Sequence, residues 1–236
     1  MTQHPPGGPG SIRVLSSTAL KAAMEELGPL FERRSGLSLA IEYGTSNQLM
    51  ERIKAGEAAD LALLTGTGIE DLMGAGRLVA GSRMDFAQTG IGVAVRAGTP
   101  PPDIATVAAF KDALLRAPSV TYTATGASGV YFAGVLERLG ISEQIRAKAK
   151  IPAGGLIGEL LVRGEAGLGV QLISELMAVP GLTLAGPLPP ELQNTMVFAV
   201  GTLLDTAHAV QSRAFYAFLA AAESRRVMQQ KGLQDI

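Results

Sequence analysis

The chain alternates short apolar runs with amphipathic stretches, and the alternation predicts repeated strand–turn–helix units. Ile12–Leu15 reads IRVL, a β-prone run. Ser16, Ser17 and Thr18 follow as a polar turn. Over residues 19–36, Leu20, Met24, Leu27, Leu30 and Phe31 recur at helical spacing, and Gly36 marks the stop. Leu37–Tyr43 then alternates as a strand, Gly44–Asn47 is a turn, and a helix runs from Gln48 to Gly56. Leu61–Leu64 is a third, fully apolar strand; Thr65–Gly68 reads as a loop and Ile69–Ala75 as a short helix. Strands are expected again at Ile91–Val95, Val120–Thr123, Leu168–Leu172, Leu182–Ala185 and Met196–Gly201. Helices are expected over Ile104–Leu115, Val130–Gly140 and Ala207–Ala222. Strands alternating with helices in this way predict an α/β fold with parallel sheet.

Composition narrows the chemistry. Among 236 residues, 20 Lys and Arg meet 21 Asp and Glu, a net charge of -1, so no basic excess serves a nucleic-acid backbone. Hydrophobic residues reach 47%, enough for a sizeable core. The absence of Cys excludes disulfides, thiolate nucleophiles and cysteine-ligated metals. His4 and His208 are the only histidines, so a two-histidine metal site or a Ser-His-Asp triad has almost no material. No cofactor motif is found: G-x-x-x-x-G-K-[ST], a strand-linked G-x-G-x-x-G and G-x-S-x-G are all missing. Residues 1–10 carry no basic or apolar signal region and are expected to be a disordered leader, which implies a cytoplasmic chain as it stands, or a periplasmic one whose signal has been removed.

Three turns share one design. Ser16–Thr18, Gly44–Asn47 and Gly126–Gly129 each follow a strand, carry small hydroxyl residues or glycines, and open a helix. Free N–H groups and the positive end of the helix dipole make such a start receptive to anions. Hydroxyls add neutral donors. In open α/β sheets these turns lie at the carboxyl ends of strands, where ligands bind.

At these turns the chain resembles type II periplasmic solute-binding proteins, above all the molybdate-binding branch that serves ABC transporters. The resemblance runs from Ile12 to the C-terminus. It rests on IRVLSSTALKAAMEELGPLFERRSG, IEYGTSNQLMERIKAGEAADLALLTG, GVYFAGVLERLGI and LLVRGEAGLGVQLISEL taken together. It implies two α/β lobes with a ligand cleft between them. Lobe 1 would take residues 11–86 plus 202–236 and lobe 2 residues 87–201, with crossing strands near Phe86–Gly92 and Asn194–Gly201. The ligand would be a small anion held by Ser16, Ser17 and Ser46 from lobe 1, and by Ser128, Gly129 and Gln171 from lobe 2.

Thr65 replaces the family's Ser-Ala strand end, Gln171 stands where a tyrosine is usual, and GASGVY departs from the usual proline-containing turn. These differences resemble a divergent branch linked to organic acids, which includes aconitate isomerase. Two functions are therefore expected. One is a binding protein for a molybdate-like oxyanion or small carboxylate, with ABC transporter membrane components as partners if exported. The other is an isomerase of an unsaturated tricarboxylate, with Tyr131 as base and Glu159 or Asp60 behind it. Arg83 and Arg163 are the candidate cations for a tricarboxylate. A third function, ligand sensing, would need a partner that binds DNA.

Overall fold

The computed structural model describes residues 11–236; the expected leader, residues 1–10, lies outside them. In chain order the strand β1 (Ser11–Ser17) leads through a 3-10 turn at Thr18–Leu20 into α1 (Lys21–Ser35). There follow β2 (Ser38–Gly44), α2 (Ser46–Lys54), β3 (Leu61–Thr65) and α3 (Gly66–Gly74). The long strand β4 (Met84–Arg96) comes next, then α4 (Val107–Arg116), β5 (Val120–Thr121) and α5 (Ala127–Arg138). Short elements α6 (Ser142–Arg146), β6 (Ala149–Lys150) and α7 (Gly158–Val162) precede β7 (Leu168–Leu172), α8 (Ile173–Met177) and β8 (Leu182–Pro187). The chain closes with β9 (Thr195–Thr202), α9 (Ala209–Leu219) and α10 (Ala222–Gln230).

The strand order is β2-β1-β3-β9-β4-β7-β5-β6, with β8 on β4. β1 pairs parallel with β2 and β3, and β5 pairs parallel with β6 and β7. Between the two groups run the antiparallel strands β9 and β4. β4 serves both sides. Its first half, to Gly90, pairs with β9; from Ile91 onward it pairs with β7, and from Gly92 with β8. At the change-over the Gln193 amide accepts from the Ile91 N–H and donates to the Ile91 carbonyl, both at 2.9 Å. Phe86–Gly92, one of the two expected crossings, lies within β4, and Asn194–Gly201, the other, covers most of β9 and the residue before it. β4 is far longer than the Ile91–Val95 strand its apolar run predicts, because Gln88, Thr89 and Gly90 interrupt the pattern while the backbone continues extended.

Each half has its own helical cover. In one, Phe31 of α1 meets Phe215 of α9 edge-on at 5.0 Å; in the other, Tyr122 meets Phe132 of α5 in the same way at 5.1 Å. All four rings are 3% exposed or less, and full burial of each such side chain contributes roughly 1.5–3 kcal/mol. The C-terminal helix expected over Ala207–Ala222 is α9, slightly shorter at both ends, and the second helix α10, which was not expected, follows it. Extended backbone at Ala221 separates the two, and the buried Ser224 hydroxyl donates to the Phe218 carbonyl across the break.

Asp60, a candidate base from sequence, stands at the amino end of β3. Five strand residues, about 16 Å, separate it from the carboxyl end where ligands bind. Its carboxylate accepts from the Arg13 N–H at 2.8 Å and from the Thr206 hydroxyl at 2.6 Å, and the His208 Nδ1 lies 3.1 Å away. It ties the starts of β1 and β3 to the α9 entry and takes no part in the cleft. Asp60→Ala is therefore expected to cost roughly 2–3 kcal/mol in urea denaturation, since it leaves buried donors without an acceptor, while ligand affinity stays as it was.

Candidate functional site

Five strand–turn–helix junctions meet where the two halves face each other. Three come from the first half. The Ser17 hydroxyl caps the 3-10 turn after β1 by accepting from Ala19 N–H. Thr45 caps α2 in a reciprocal box: its hydroxyl takes the Gln48 N–H, and the Gln48 side chain returns to the Thr45 N–H. Thr65 caps α3 by accepting from Gly68 N–H. Two come from the second half, where β5 leads into α5 and β7 into α8.

Contacts across the gap show that these junctions oppose one another. Asn47 Nδ2 donates to the Thr125 carbonyl at 2.9 Å, and the Thr45 and Thr125 hydroxyls lie 3.4 Å apart. Gly154 sits so close to Thr45 that a Cβ there would come within 2.9 Å of its methyl. On the other side of this seam a cavity of about 330 Å³ is lined by the α3 start (Thr65, Gly66, Thr67), the α5 start (Ala127) and the β9 entry (Asn194). α8 packs against Thr18–Leu20 and α1.

The sequence-predicted residues divide. Ser16, Ser17, Ser46 and Ser128 are all buried at these junctions. Ser46 is the first residue of α2 rather than its cap, and its hydroxyl accepts from the Thr65 N–H at 3.2 Å, tying two junctions together. Gly129 lies in the first turn of α5, where a Cβ would stand 1.8 Å from the Thr123 carbonyl oxygen. Glycine lets the turn and the helix start touch. Gln171 is buried in β7, and its amide accepts from Ile157 N–H at 3.1 Å and donates to the Gly155 carbonyl at 2.8 Å. It fixes the turn that faces Thr45.

Tyr131 sits one turn into α5. Its hydroxyl donates to the Leu192 carbonyl at 3.2 Å and accepts from Arg138 at 3.1 Å, with that guanidinium 5.5 Å from the ring centre. Glu159 and Arg163 pair with each other on the surface of α7 and its end, and Arg163 also holds Glu165. Neither reaches the cleft. Arg83 does: it borders the 330 Å³ cavity, paired with Asp85.

Several residues at or near the candidate site went unread in the sequence. Thr45-x-x-Gln48 is a capping box and was legible as one. Thr65 was hidden because Thr65–Gly68 reads as a loop; it opens α3 instead. Thr123 is 2% exposed, and its hydroxyl has no hydrogen-bond partner among the described residues. It lies beneath the α5 start, 2.3 Å from where a Gly126 Cβ would stand. Glu175, in the first turn of α8, is 8% exposed and has no ion pair among the described residues. Burial pushes its carboxyl up to about 8, a rise only partly offset by the Leu172 N–H.

The arrangement is a set of helix starts, small hydroxyls and unused N–H groups around an interlobe gap, which can surround an anion without a metal or a histidine. Among the described residues no group of three His, Asp or Glu is placed to hold a metal ion, and no helix is long and apolar enough to cross a membrane.

Known proteins share this architecture. The chain is 32% identical to an aconitate isomerase from Pseudomonas sp. over 232 residues, 96% of this chain and 88% of that one. It is 23% identical to the molybdate-binding protein ModA of Mycobacterium tuberculosis over 241 residues, 97% of this chain and 86% of the relative. Among solved structures, the periplasmic molybdate-binding protein of Azotobacter vinelandii superposes with a TM-score of 0.79 at 17% identity, covering 94% of this chain and 98% of that one. The two-lobed, type II fold that the resemblance implied is therefore the fold of this chain. Residues 12–234 also match the model of the bacterial extracellular solute-binding proteins, and to that family the chain belongs.

Proposed function

We propose that the chain binds a small anion, a molybdate-like oxyanion or a small carboxylate, in the cleft between its lobes. The observation that carries this reading is the convergence of helix starts from both sides of one seam, at Thr45, Thr65 and Gly126. Each offers N–H groups that helix geometry leaves free, at the positive end of a dipole. Ser16, Ser17, Ser46 and Ser128 supply hydroxyl donors, while Gln171 and Gly129 shape the second-lobe turns that carry donors. The bodies that close on the ligand are residues 11–86 plus 202–236 and residues 87–201, moving about β4 and β9. In this reading the chain works outside the cytoplasm, as its family does, and delivers its ligand to ABC transporter membrane components.

The test is calorimetry with molybdate, sulfate, citrate and the aconitates. Ser46→Ala combined with Ser128→Ala is expected to weaken the ligand at least tenfold, since each hydrogen bond to a charged group contributes on the order of 1.5–3 kcal/mol. Unchanged affinity would remove both serines from the site.

The second reading is an isomerase of an unsaturated tricarboxylate, favoured by the 32% identity to an aconitate isomerase along nearly the whole chain. Such a reaction needs a group that takes a proton from one carbon and returns it to another. Tyr131 has its hydroxyl engaged by Leu192 and Arg138, which weakens its candidacy. Glu175 is a buried carboxyl at the carboxyl end of β7 with a suitably raised pKa. Proton NMR of cis-aconitate in heavy water separates the readings. Formation of the trans isomer with deuterium uptake selects the isomerase; an unaltered spectrum at high protein concentration selects the binding protein.

A further inference from the structure

We propose that the start of α2 and the turns at Thr125 and Gly154 form a latch that holds the two lobes together before any ligand arrives, with Asn47 as its deciding residue. The inference rests on the reading of the gap as a cleft between closing lobes. It adds what sets the balance between closed and open forms of the empty chain.

The two faces of the latch belong to opposite ends of the strand order. α2 follows the edge strand β2, at one end. Thr125 follows β5 and Gly154 follows β6, the last two strands at the other end. No strand pairing joins these faces, so what they exchange directly decides whether they stay in contact. Asn47 Nδ2 donates to the Thr125 carbonyl at 2.9 Å, the length of a well-made hydrogen bond. The Thr125 hydroxyl donates its proton to the Ala153 carbonyl at 2.6 Å, so toward Thr45 it can only accept; at 3.4 Å that second contact is the weaker one. Gly154 completes the latch by shape. A Cβ there would meet the Thr45 methyl at 2.9 Å and the Gln48 side-chain amide at 3.7 and 3.9 Å, and all of these atoms belong to the opposite lobe.

Each face is stiff on its own. Thr45 and Gln48 close a capping box at the α2 start. Across the gap, the Thr125 N–H donates to the Ala153 carbonyl at 3.1 Å and the Ala124 N–H to the Pro152 carbonyl at 2.8 Å. The Gln171 amide then pins Gly155 and Ile157 to β7. Two stiff faces joined by one good hydrogen bond and one close fit separate as units, which makes the contact two-state. Losing one such bond changes the ratio of the two states by about fivefold, and replacing it with a repulsion changes it further.

Pulsed electron paramagnetic resonance on the full chain, with no ligand added, tests this. The sequence has no Cys, so nitroxides on Ala55→Cys, just after α2, and Gln144→Cys, in α6, report the separation of the lobes from two exposed positions. Two variants of this labelled chain break the latch in different ways. Asn47→Asp keeps the size and turns the donor into a carboxylate facing the Thr125 carbonyl. Negative charge in the first turn of α2 favours that helix, so an opening would not come from its loss. Gly154→Val pushes on Thr45 and Gln48 from the other side, and Gly154, unlike Gly155, has no left-handed backbone to strain. The expected result is one short distance in the labelled parent and a second, longer distance in each variant, with the open-to-closed ratio raised by about tenfold or more. A distance distribution unchanged in either variant overturns the proposal. So does a parent chain that is already mostly open, because the latch then holds nothing. The ligand takes no part in this measurement, so its failure leaves the anion reading to the calorimetry of the Ser46 and Ser128 variants.

Discussion

Gly129→Ala is expected to destabilise the chain by about 3 kcal/mol and to abolish anion binding in the fraction that folds. The reason is contact with backbone. A Cβ at this position would lie 1.8 Å from the Thr123 carbonyl oxygen and 2.8 Å from its carbonyl carbon, and neither can swing aside as a side-chain tip can. The Thr123–Gly126 turn would have to lift off the first turn of α5. That turn carries Thr125, which holds Asn47 across the seam, so the damage reaches the opposite lobe. Gly134, on the same helix, has open space where a methyl would stand, with nothing within 4 Å, and is the control: Gly134→Ala should leave binding unchanged and leave stability equal or slightly higher. Urea denaturation and calorimetry of the two variants check the pair. Equal stability for both would show that the turn yields freely.

The second large effect is a dependence of stability on pH. Burial raises the Glu175 carboxyl to about 8, against an ordinary value near 4.5. The folded chain therefore holds this proton where the unfolded chain has lost it. Below about pH 4.5 both states are protonated and the group contributes nothing to the slope. Between that pH and about 8 the unfolded state binds fewer protons than the folded one, so stability falls as pH rises. Integrated over the window the loss approaches on the order of 4 kcal/mol. Glu175→Gln keeps the shape and removes the ionisation. Its thermal midpoint is expected to match wild type near pH 5 and to exceed it by several degrees at pH 8. Parallel curves for the two proteins across that range would show that Glu175 ionises without penalty.

Much of the fold was legible because its strands obey simple patterns. LALL and IRVL are buried on both faces or nearly so, as central parallel strands require, and each is followed by a polar turn. The helix starts at Ser17 and Gly126 were visible for the same reason. What escaped were features that depend on distant chain. β4 looks like a strand only over Ile91–Val95, because its first half is extended by pairing with β9, more than a hundred residues later. α8 is five residues long, too short for periodicity to reveal, and with it went Glu175. The candidate site was half legible. Serines at helix starts are a local signal, so the sequence alone could place Ser16, Ser17, Ser46 and Ser128 at strand–helix junctions, where the structure has them buried. Arg83 could be named as a cation but not placed, since only the fold brings it beside Gly66 and Ala127. Gln171 was read as a contact, whereas its amide is occupied by the backbone of Gly155 and Ile157, sixteen and fourteen residues away.

The end of the chain also belongs to the joint between the lobes. Gln234 exchanges two backbone hydrogen bonds with Gln88, at 2.7 and 2.9 Å, and the Thr89 hydroxyl donates to the Gly232 carbonyl at 2.8 Å. At that level β4 has β9 on one side and the C-terminal tail on the other. In the proposed closure, rotation of the lobes about β4 and β9 would bend three passes of chain. The tail would then act as a splint along the crossing strand, and the stiffness of such a hinge would be written partly in the last five residues.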